Sequence, residues 1–225
     1  MTDGRSTPPA PARAPEQRLR TFWDQRYGAA DYVYGTEPNA FLVQHLPALR
    51  PGARVLCLAD GEGRNGVWLA RQGCEVTSVD IAPAGSAKTA ALARRHGVHV
   101  ATRTEDVTRM DWGSSPAGDA GWDAIVSIFL HLPAAPRRRL HRSAAQALRP
   151  GGVFLWEAYG PEQRGQTTGG PQTAELLPPL AEVREDFAGA GCTVLHQWAG
   201  WREVREGALH SGPGCVTQLV LQRPG

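Results

Sequence analysis

The chain has 225 residues, of which 41% are hydrophobic and 20% charged. That length supports one domain with its own core, and the balance is that of a globular chain rather than a disordered or fibrous one. No run approaches the ~18 apolar residues of a membrane span, no apolar signal segment opens the chain, and a formal net charge of +2 is too small to argue for nucleic acid. The expectation is a cytoplasmic protein with no membrane and no nucleic-acid partner.

Residues 1–17, rich in Pro, Ala and polar side chains, are expected to form a disordered tail ahead of a single domain over 18–225. Leu19, Phe22, Trp23 and Tyr27 fall at helical spacing over 18–27. A loop with Tyr32, Tyr34, Gly35 and Pro38 leads to a helix over 39–49, ended by Pro51-Gly52. The apolar run 53–59 predicts a buried parallel strand. A helix over 64–72, stopped by Gly73, leads to a second strand over 75–79. A helix over 84–96, closed by Gly97, leads to a third strand over 98–103. A fourth strand over 122–128, a helix over 134–148 and a fifth strand over 152–158 continue the alternation. The Gly-, Gln- and Thr-rich loop 160–171 is long enough to act as a lid. A helix over 176–188 then precedes two last strands, 194–198 and 216–222, joined by 201–213. The pattern predicts an α/β, Rossmann-like fold: a doubly wound, mostly parallel seven-stranded sheet with helices on both faces and an antiparallel last strand. Ligands of such sheets bind beyond the carboxyl ends of the first strands.

Lys88 is the only lysine, against 23 arginines, so Schiff-base chemistry is not expected. Arg137-Arg138-Arg139 is expected on the solvated side of its helix. Cys57, Cys74, Cys192 and Cys215 include no CxxC pair, and no His lies at zinc-finger spacing; free thiols and no metal site are expected.

The strongest local signal is Val55-Leu56-Cys57-Leu58-Ala59-Asp60-Gly61-Glu62-Gly63-Arg64-Asn65-Gly66, an apolar strand running through a glycine-rich turn into a helix. Glycine permits positive φ and close approach of a ligand to the backbone, and the free N–H groups of the helix start can hold a carboxylate or phosphate. Gly61, Gly63 and Gly66 spell GxGxxG, and Asp80 stands at the end of the second strand, where an acid binds ribose hydroxyls. A nicotinamide or flavin dinucleotide and S-adenosylmethionine both suit this frame. Charge favours the second. Asp60 and Glu62 flank the place of a dinucleotide's pyrophosphate, a repulsion of several kcal/mol by order of magnitude, whereas an ammonium and a sulfonium are attracted there. Glu105-Asp106, just past the third strand, adds further acids at the same edge, within reach of an adenine amine.

VLCLADGEGRN resembles motif I of class I S-adenosylmethionine-dependent methyltransferases, VTSVDIAP their second motif, and TEDV their adenine-side motif. WDAIVSIFLHL and LRPGGVFLWEAY are similar to their later strands, and the resemblance extends over about residues 18–224. FWDQRYG, VYGTEPN, Gly169-Gly170-Pro171 and EGALHSGPG resemble the tellurite-resistance and thiopurine S-methyltransferase-like branch. Two departures stand out. That family has Asp where Cys57 stands and Gly where Ala59 stands, and the branch's C-terminal His-Arg pair is here His210 followed by Ser211.

The resemblance implies S-adenosylmethionine as cofactor. Ala59, Gly61 and Gly63 would face its methionine part through their backbones, with Asp60 near its ammonium. Asp80, followed by Ile81, would take the ribose, Asp106 and Val107 would frame the adenine, and Ile128 and Phe129 would lie under the sulfonium. From the cap formed by residues 18–50, Trp23, Arg26, Tyr34 and Gly35 would cover the cofactor, with Arg26 toward its carboxylate. Soft nucleophiles need little help from a base, whereas a hydroxyl or amine needs one near the methyl group. The candidates are His131 after the fourth strand, Glu157 and Tyr159 after the fifth, and His210. The expected partner is a small-molecule methyl acceptor, with a thiol or chalcogen preferred over oxygen or nitrogen, acted on by a monomer or homodimer. A nicotinamide-dependent oxidoreductase and a non-catalytic cofactor-binding protein are the alternatives.

Overall fold

Seven strands form one sheet: β1 (Arg54–Leu58), β2 (Glu75–Asp80), β3 (Val100–Thr104), β4 (Trp122–Ile128), β5 (Leu148–Tyr159), β6 (Thr193–Arg205) and β7 (Ser211–Gln222). The computed structural model describes residues 15–112 and 121–225. The strand order is β3-β2-β1-β4-β5-β7-β6. β1 to β5 pair in parallel, and β7, last in sequence, runs antiparallel between β5 and β6. This is the expected Rossmann-like, mostly parallel sheet.

Side-chain alternation along the central strands supplies both faces of the core. Val55 and Cys57 pack with Val67, Leu69 and Leu92 of α3 (Arg64–Arg71) and α4 (Pro83–Arg95). Leu56 and Leu58 pack on the opposite face with Leu140, Ala144 and Val183 of α5 (Ala134–Ala147) and α6 (Leu180–Glu185). Covering both faces is what requires β1 to be apolar throughout, and each leucine so buried contributes roughly 1.5–3 kcal/mol. β1 and β4 are neighbours whose connections leave to opposite sides, which opens a crevice beyond their carboxyl ends. The four cysteines are free thiols, and no described helix is long and apolar enough to cross a membrane.

Several elements depart from the sequence expectation. α1 (Pro15–Tyr27) begins on a proline, which suits a first helical turn. Residues 15–17 therefore belong to the helix and not to a tail, while residues 1–14 lie outside the described residues. The helix expected over 39–49 is only α2 (Ala40–His45). Asn39 is its N-cap, its side-chain oxygen accepting from Leu42 N at 2.9 Å, and Leu46, extended ahead of Pro47, ends it. The helix expected over 176–188 is divided by Pro178-Pro179 into a 3₁₀ turn (Ala174–Leu176) and α6. β6 and β7 form one long hairpin paired from Thr193↔Gln222 to Arg205↔Ser211, absorbing most of the segment expected to join two short strands. Arg137 is 3% exposed and ion-paired with Asp186 at 2.7 Å. It shares the buried stripe of α5 with Leu140, His141 and Ala144, so only its two neighbours in the triplet are solvated.

Candidate functional site

At the end of β1 the chain turns through Ala59 (φ +50°), Gly61 (+60°) and Gly63 (+88°). Packing explains the glycines. A Cβ on Gly61 would stand 2.8 Å from the Tyr27 hydroxyl, and one on Gly63 would stand 2.5–2.7 Å from the Thr89 side chain. Ala59 holds its left-handed conformation without glycine's freedom, at a cost of about 1–2 kcal/mol. Phe129, just past β4, does the same at φ +54°. The two strained residues follow adjacent strands, at the point where the crevice opens.

The acids divide by what they touch. Asp80 is 5% exposed and accepts from Gly61 N and Ala82 N, both at 2.9 Å, so its carboxylate ties the glycine turn to the second strand. Burial pushes its carboxyl upward, and the backbone hydrogen bonds oppose that. Asp60 turns inward, accepting from Ser78 Oγ at 2.9 Å and Gly66 N at 3.2 Å, and burial raises its pKa to about 7. Glu62 is ion-paired with Lys88 at 2.7 Å and accepts from Tyr34 N at 3.3 Å. Glu105 pairs with Arg103 at 2.5 Å and stands outside the cleft. The acidic edge is thus narrower than its sequence suggests, because three of its members are satisfied locally. Asp80 and Asp106 line the cleft without an ion pair among the described residues, and Asp106 accepts from Thr108 N and Oγ1 at 2.8 Å.

α1 and the following loop close over this turn. Tyr27 is buried and stacks on Trp23 with ring centroids 5.5 Å apart. Arg26 donates to the Tyr34 hydroxyl at 2.9 Å and lies over the Phe22 ring at 4.6 Å. Lys88 donates to the carbonyl of Asp31 at 2.7 Å while paired with Glu62, so the single lysine staples the cap to the glycine turn.

The other end of the cleft is aromatic. Phe129 lies 4.7 Å from Tyr159 and 4.9 Å from His210 between ring centroids, and Tyr34 lies 4.6 Å from His210. His131 stacks on Tyr159 at 5.9 Å, nearly parallel. His131 Nδ1 is 2.9 Å from the carbonyl oxygen of Leu176. A carbonyl only accepts, so Nδ1 carries the proton. His131 Nε2 and His210 Nδ1 are both buried with no hydrogen-bond partner among the described residues. Burial lowers the pKa of His131 to about 4 and that of His210 to about 3, so both rings are uncharged at neutral pH. His210 stands in the hairpin turn, where its carbonyl accepts from Glu206 N at 2.7 Å.

Two expected site residues are placed elsewhere, and a third candidate is occupied. Glu157 is fully buried and accepts from Asn39 Nδ2 at 2.8 Å, from Arg202 and from Gln218. Arg202 also reaches Glu206 at 2.9 Å, and Glu206 pairs with Arg64, giving a buried ionic network between α2, α3, β5 and the hairpin. β7 pairs with β5 as far as Tyr159↔Val216, so the carboxyl end of β5 is covered rather than open. Gly63 serves close packing against Thr89 and does not line the cleft. The Tyr159 hydroxyl donates to the carbonyl of Thr168 at 3.1 Å, and burial pushes its pKa upward, which unsuits it as a base.

All the remaining expected cofactor and catalytic residues line one cleft of about 410 Å³, Ile81, Val107 and Ile128 among them, and so do Gly170 and Pro171 of the loop after β5. Leu19, Phe22, Tyr27, Leu130, Leu132 and Leu176 join them without having been singled out as site residues. Leu19 and Phe22 carry a usable signal, since they are 46% and 49% exposed on a helix that also supplies Trp23. Leu176 carries none, because it reaches His131 across 45 residues of chain.

Residues 55–152 match the methyltransferase domain family. Over those residues, and in its sheet order, the chain is similar to methyltransferases. Among curated proteins the chain is similar to ribosomal RNA small subunit methyltransferase B of Thermus thermophilus, 42% identical over 134 residues, covering 53% of this chain. The alignment spans about a third (34%) of that protein's length. Among solved structures it is similar to a protein described for conversion of a disulfide bond into a thioacetal group during echinomycin biosynthesis, with a TM-score of 0.72, 15% identity and 92% of each chain covered. It is also similar to TehB from Haemophilus influenzae, with a TM-score of 0.65 and 16% identity, covering 92% of this chain and 67% of that one.

Proposed function

We propose that this protein is an S-adenosylmethionine-dependent methyltransferase acting on a small molecule, with a thiol or chalcogen as the preferred acceptor. The observation that carries the cofactor half is the glycine turn held by Asp80: a buried carboxylate at the end of β2, hydrogen-bonded to Gly61 N and lining the cleft. The soft-acceptor half is supported by the sequence resemblance and by the neighbour associated with thioacetal formation.

The residues present fit the cofactor. Asp80 has lone pairs left beyond its two backbone donors for a ribose diol. Asp106 and Val107 stand where an adenine would be framed, and the guanidinium of Arg26, tied only through Nη1 to a neutral phenol, is free to meet a carboxylate. Ala59 and Gly61 present backbone to the methionine part, and Ile128 and Phe129 form the floor. Trp23, Tyr34 and Gly35 exclude water from above. The cofactor, once bound, supplies a methyl group on a sulfonium whose leaving group needs no further activation. The protein's own work is to hold the acceptor in line and keep water out, and orientation of that kind contributes several kcal/mol by order of magnitude. His131 and His210 border the acceptor end as uncharged hydrogen-bonding groups.

Incubation with labelled cofactor and a panel of thiols, selenite, tellurite, phenols, amines and ribosomal RNA tests the reading. Transfer to a thiol or chalcogen is the expected result. Transfer confined to phenols or amines would remove the soft-acceptor part. Transfer to ribosomal RNA would give this chain the kind of acceptor that the name of the Thermus relative describes. Tight binding of NADH with indifference to S-adenosylhomocysteine would overturn the whole.

A further inference from the structure

We propose that the acceptor is held in its un-ionised X–H form, as a molecule with an apolar body that donates its hydrogen to Nε2 of His131. The inference rests on the methyltransferase reading and narrows it, separating neutral thiols from oxyanions such as tellurite and selenite, which that reading treats together.

Nδ1 of His131 is committed as donor to the carbonyl of Leu176 at 2.9 Å, so Nε2 of the neutral ring holds a lone pair and no hydrogen. The ring cannot flip without losing that bond, and the parallel contact with Tyr159 at 5.9 Å helps fix its plane. Nε2 is shielded from solvent and no described donor reaches it. Buried acceptors without a partner are uncommon in folded proteins and call for an explanation. A ligand donor supplies one here, because His131 lines the cleft. A thiolate at the same position would set lone pair against lone pair, and a hydrogen selenite or hydrogen tellurite ion, although it keeps an O–H, would bring a charge that nothing at this end offsets.

The surroundings select in the same direction. Leu130, Leu132, Leu176, Phe129 and Pro171 wall this end of the cleft, which suits an apolar body. The two guanidiniums that line the cleft are both spoken for. Arg64 is paired with Glu206, and Arg26 is the group assigned above to the cofactor's carboxylate. His210, on the hairpin side, brings a second unpartnered ring nitrogen to the same end and, like His131, no charge. An oxyanion would therefore meet neutral imidazoles and leucines, whereas a neutral thiol or similar protic group satisfies an orphaned nitrogen and buries its carbon frame.

The test uses the full chain saturated with S-adenosylhomocysteine, whose own binding is measured first by calorimetry. 2-Phenylethanethiol, un-ionised at neutral pH, is then compared with 4-nitrothiophenolate and with selenite. The neutral thiol is expected to bind at least tenfold more tightly than either anion. His131→Asn, whose amide can keep the bond to Leu176 but lacks an acceptor at the Nε2 position, should lose that preference while retaining S-adenosylhomocysteine affinity. Nitrogen-15 spectra of the imidazoles should show a hydrogen-free Nε2 whose resonance moves when the neutral thiol is added. Tighter binding of the anions, no binding of the neutral thiol, or a proton on Nε2 would overturn the proposal, and the wild-type series decides even if His131→Asn fails to fold. Failure to bind S-adenosylhomocysteine would instead sink the cofactor reading, so the two failures are distinguishable.

Discussion

The end of the cleft beside Gly61 and the end beside His131 are made in different ways. At the first, the groups that matter stand at or just past the ends of four strands, β1 to β4, and much of the contact surface is backbone, with Asp80 holding the turn in place. At the second, the β4–β5 pairing brings Phe129 beside Tyr159, and Leu176 and His210 join them only because the loop after β5 and the β6–β7 hairpin fold back together. Between them runs the buried network of Glu157, Arg202, Glu206 and Arg64, which joins the helix after the glycine turn to the hairpin that carries His210. A site that depends on strand ends is inherited with the fold. A site assembled from distant loops changes with any of them, and an acceptor pocket has to vary in that way between enzymes sharing one cofactor.

Breaking the connection between the two ends is expected to have the largest effect. Glu157→Ala removes one carboxylate from a buried cluster and leaves Arg202 and Asn39 short of a partner, which should cost about 3–5 kcal/mol in urea unfolding. S-adenosylhomocysteine affinity of the folded protein should stay unchanged; a specific loss of turnover at intact stability would instead return Glu157 to the reaction. Asp80→Ala acts on the first end alone. It should cost about 2–3 kcal/mol of cofactor affinity by calorimetry, and an unchanged dissociation constant would move the ribose elsewhere. His210→Ala acts on the second end, lowering turnover by about tenfold or more while cofactor affinity holds. Equal loss of both would mark His210 as structural.

Acidification should separate the groups further. His131 and His210 are held neutral with pKa values near 4 and 3, below the ordinary value of 6.5, so the unfolded chain binds their protons first. Their contribution to stability is complete above about pH 6.5 and is lost as pH falls toward 4. Asp60, raised to about 7, has the opposite sign: its contribution is complete below about pH 4 and lost as pH rises through 7. His45 and His141, also held below the ordinary value, act with them, and Asp80, raised like Asp60, acts against them. Four groups against two predict a net loss of stability between pH 6 and pH 4, and His131→Gln combined with His210→Gln should reduce that slope in thermal melts. The smallest effect is a gain. Ala59→Gly relieves a left-handed residue at φ +50°, and after the added freedom of the unfolded chain it should stabilise the protein by about 0.5–1 kcal/mol. No increase in melting temperature would mean that Ala59 carries no strain.

Apolar runs, glycine stops and proline breaks were sufficient to place the five parallel strands and the helices between them, because burial on both faces and backbone stereochemistry write themselves locally. The last two strands were expected, but shorter than they are. The same locality made Asp80, Gly61, Asp106 and Phe129 legible, since each stands at or just past a strand end. It failed where a long-range contact decided the matter. Glu157 has the position of a site residue at a strand's carboxyl end, yet the hairpin pairs past it and surrounds it with Asn39, Arg202 and Gln218. Asp60 and Glu62 have the charge expected of an acidic edge, yet Ser78 and Lys88 occupy them. Arg137 looks solvated within its triplet, yet Asp186 draws it inward.

The amino-acid order alone settled the α/β architecture, the glycine turn and the acid at the end of the second strand, because those features depend on side-chain periodicity and on φ angles that few residues adopt. Which charges face the cleft, and which ring nitrogen of His131 is left without a hydrogen, were decided by tertiary structure. Those properties belong to pairs such as Lys88 with Glu62 and Leu176 with His131, and pairs separated by 26 and 45 residues exist only once the chain has folded.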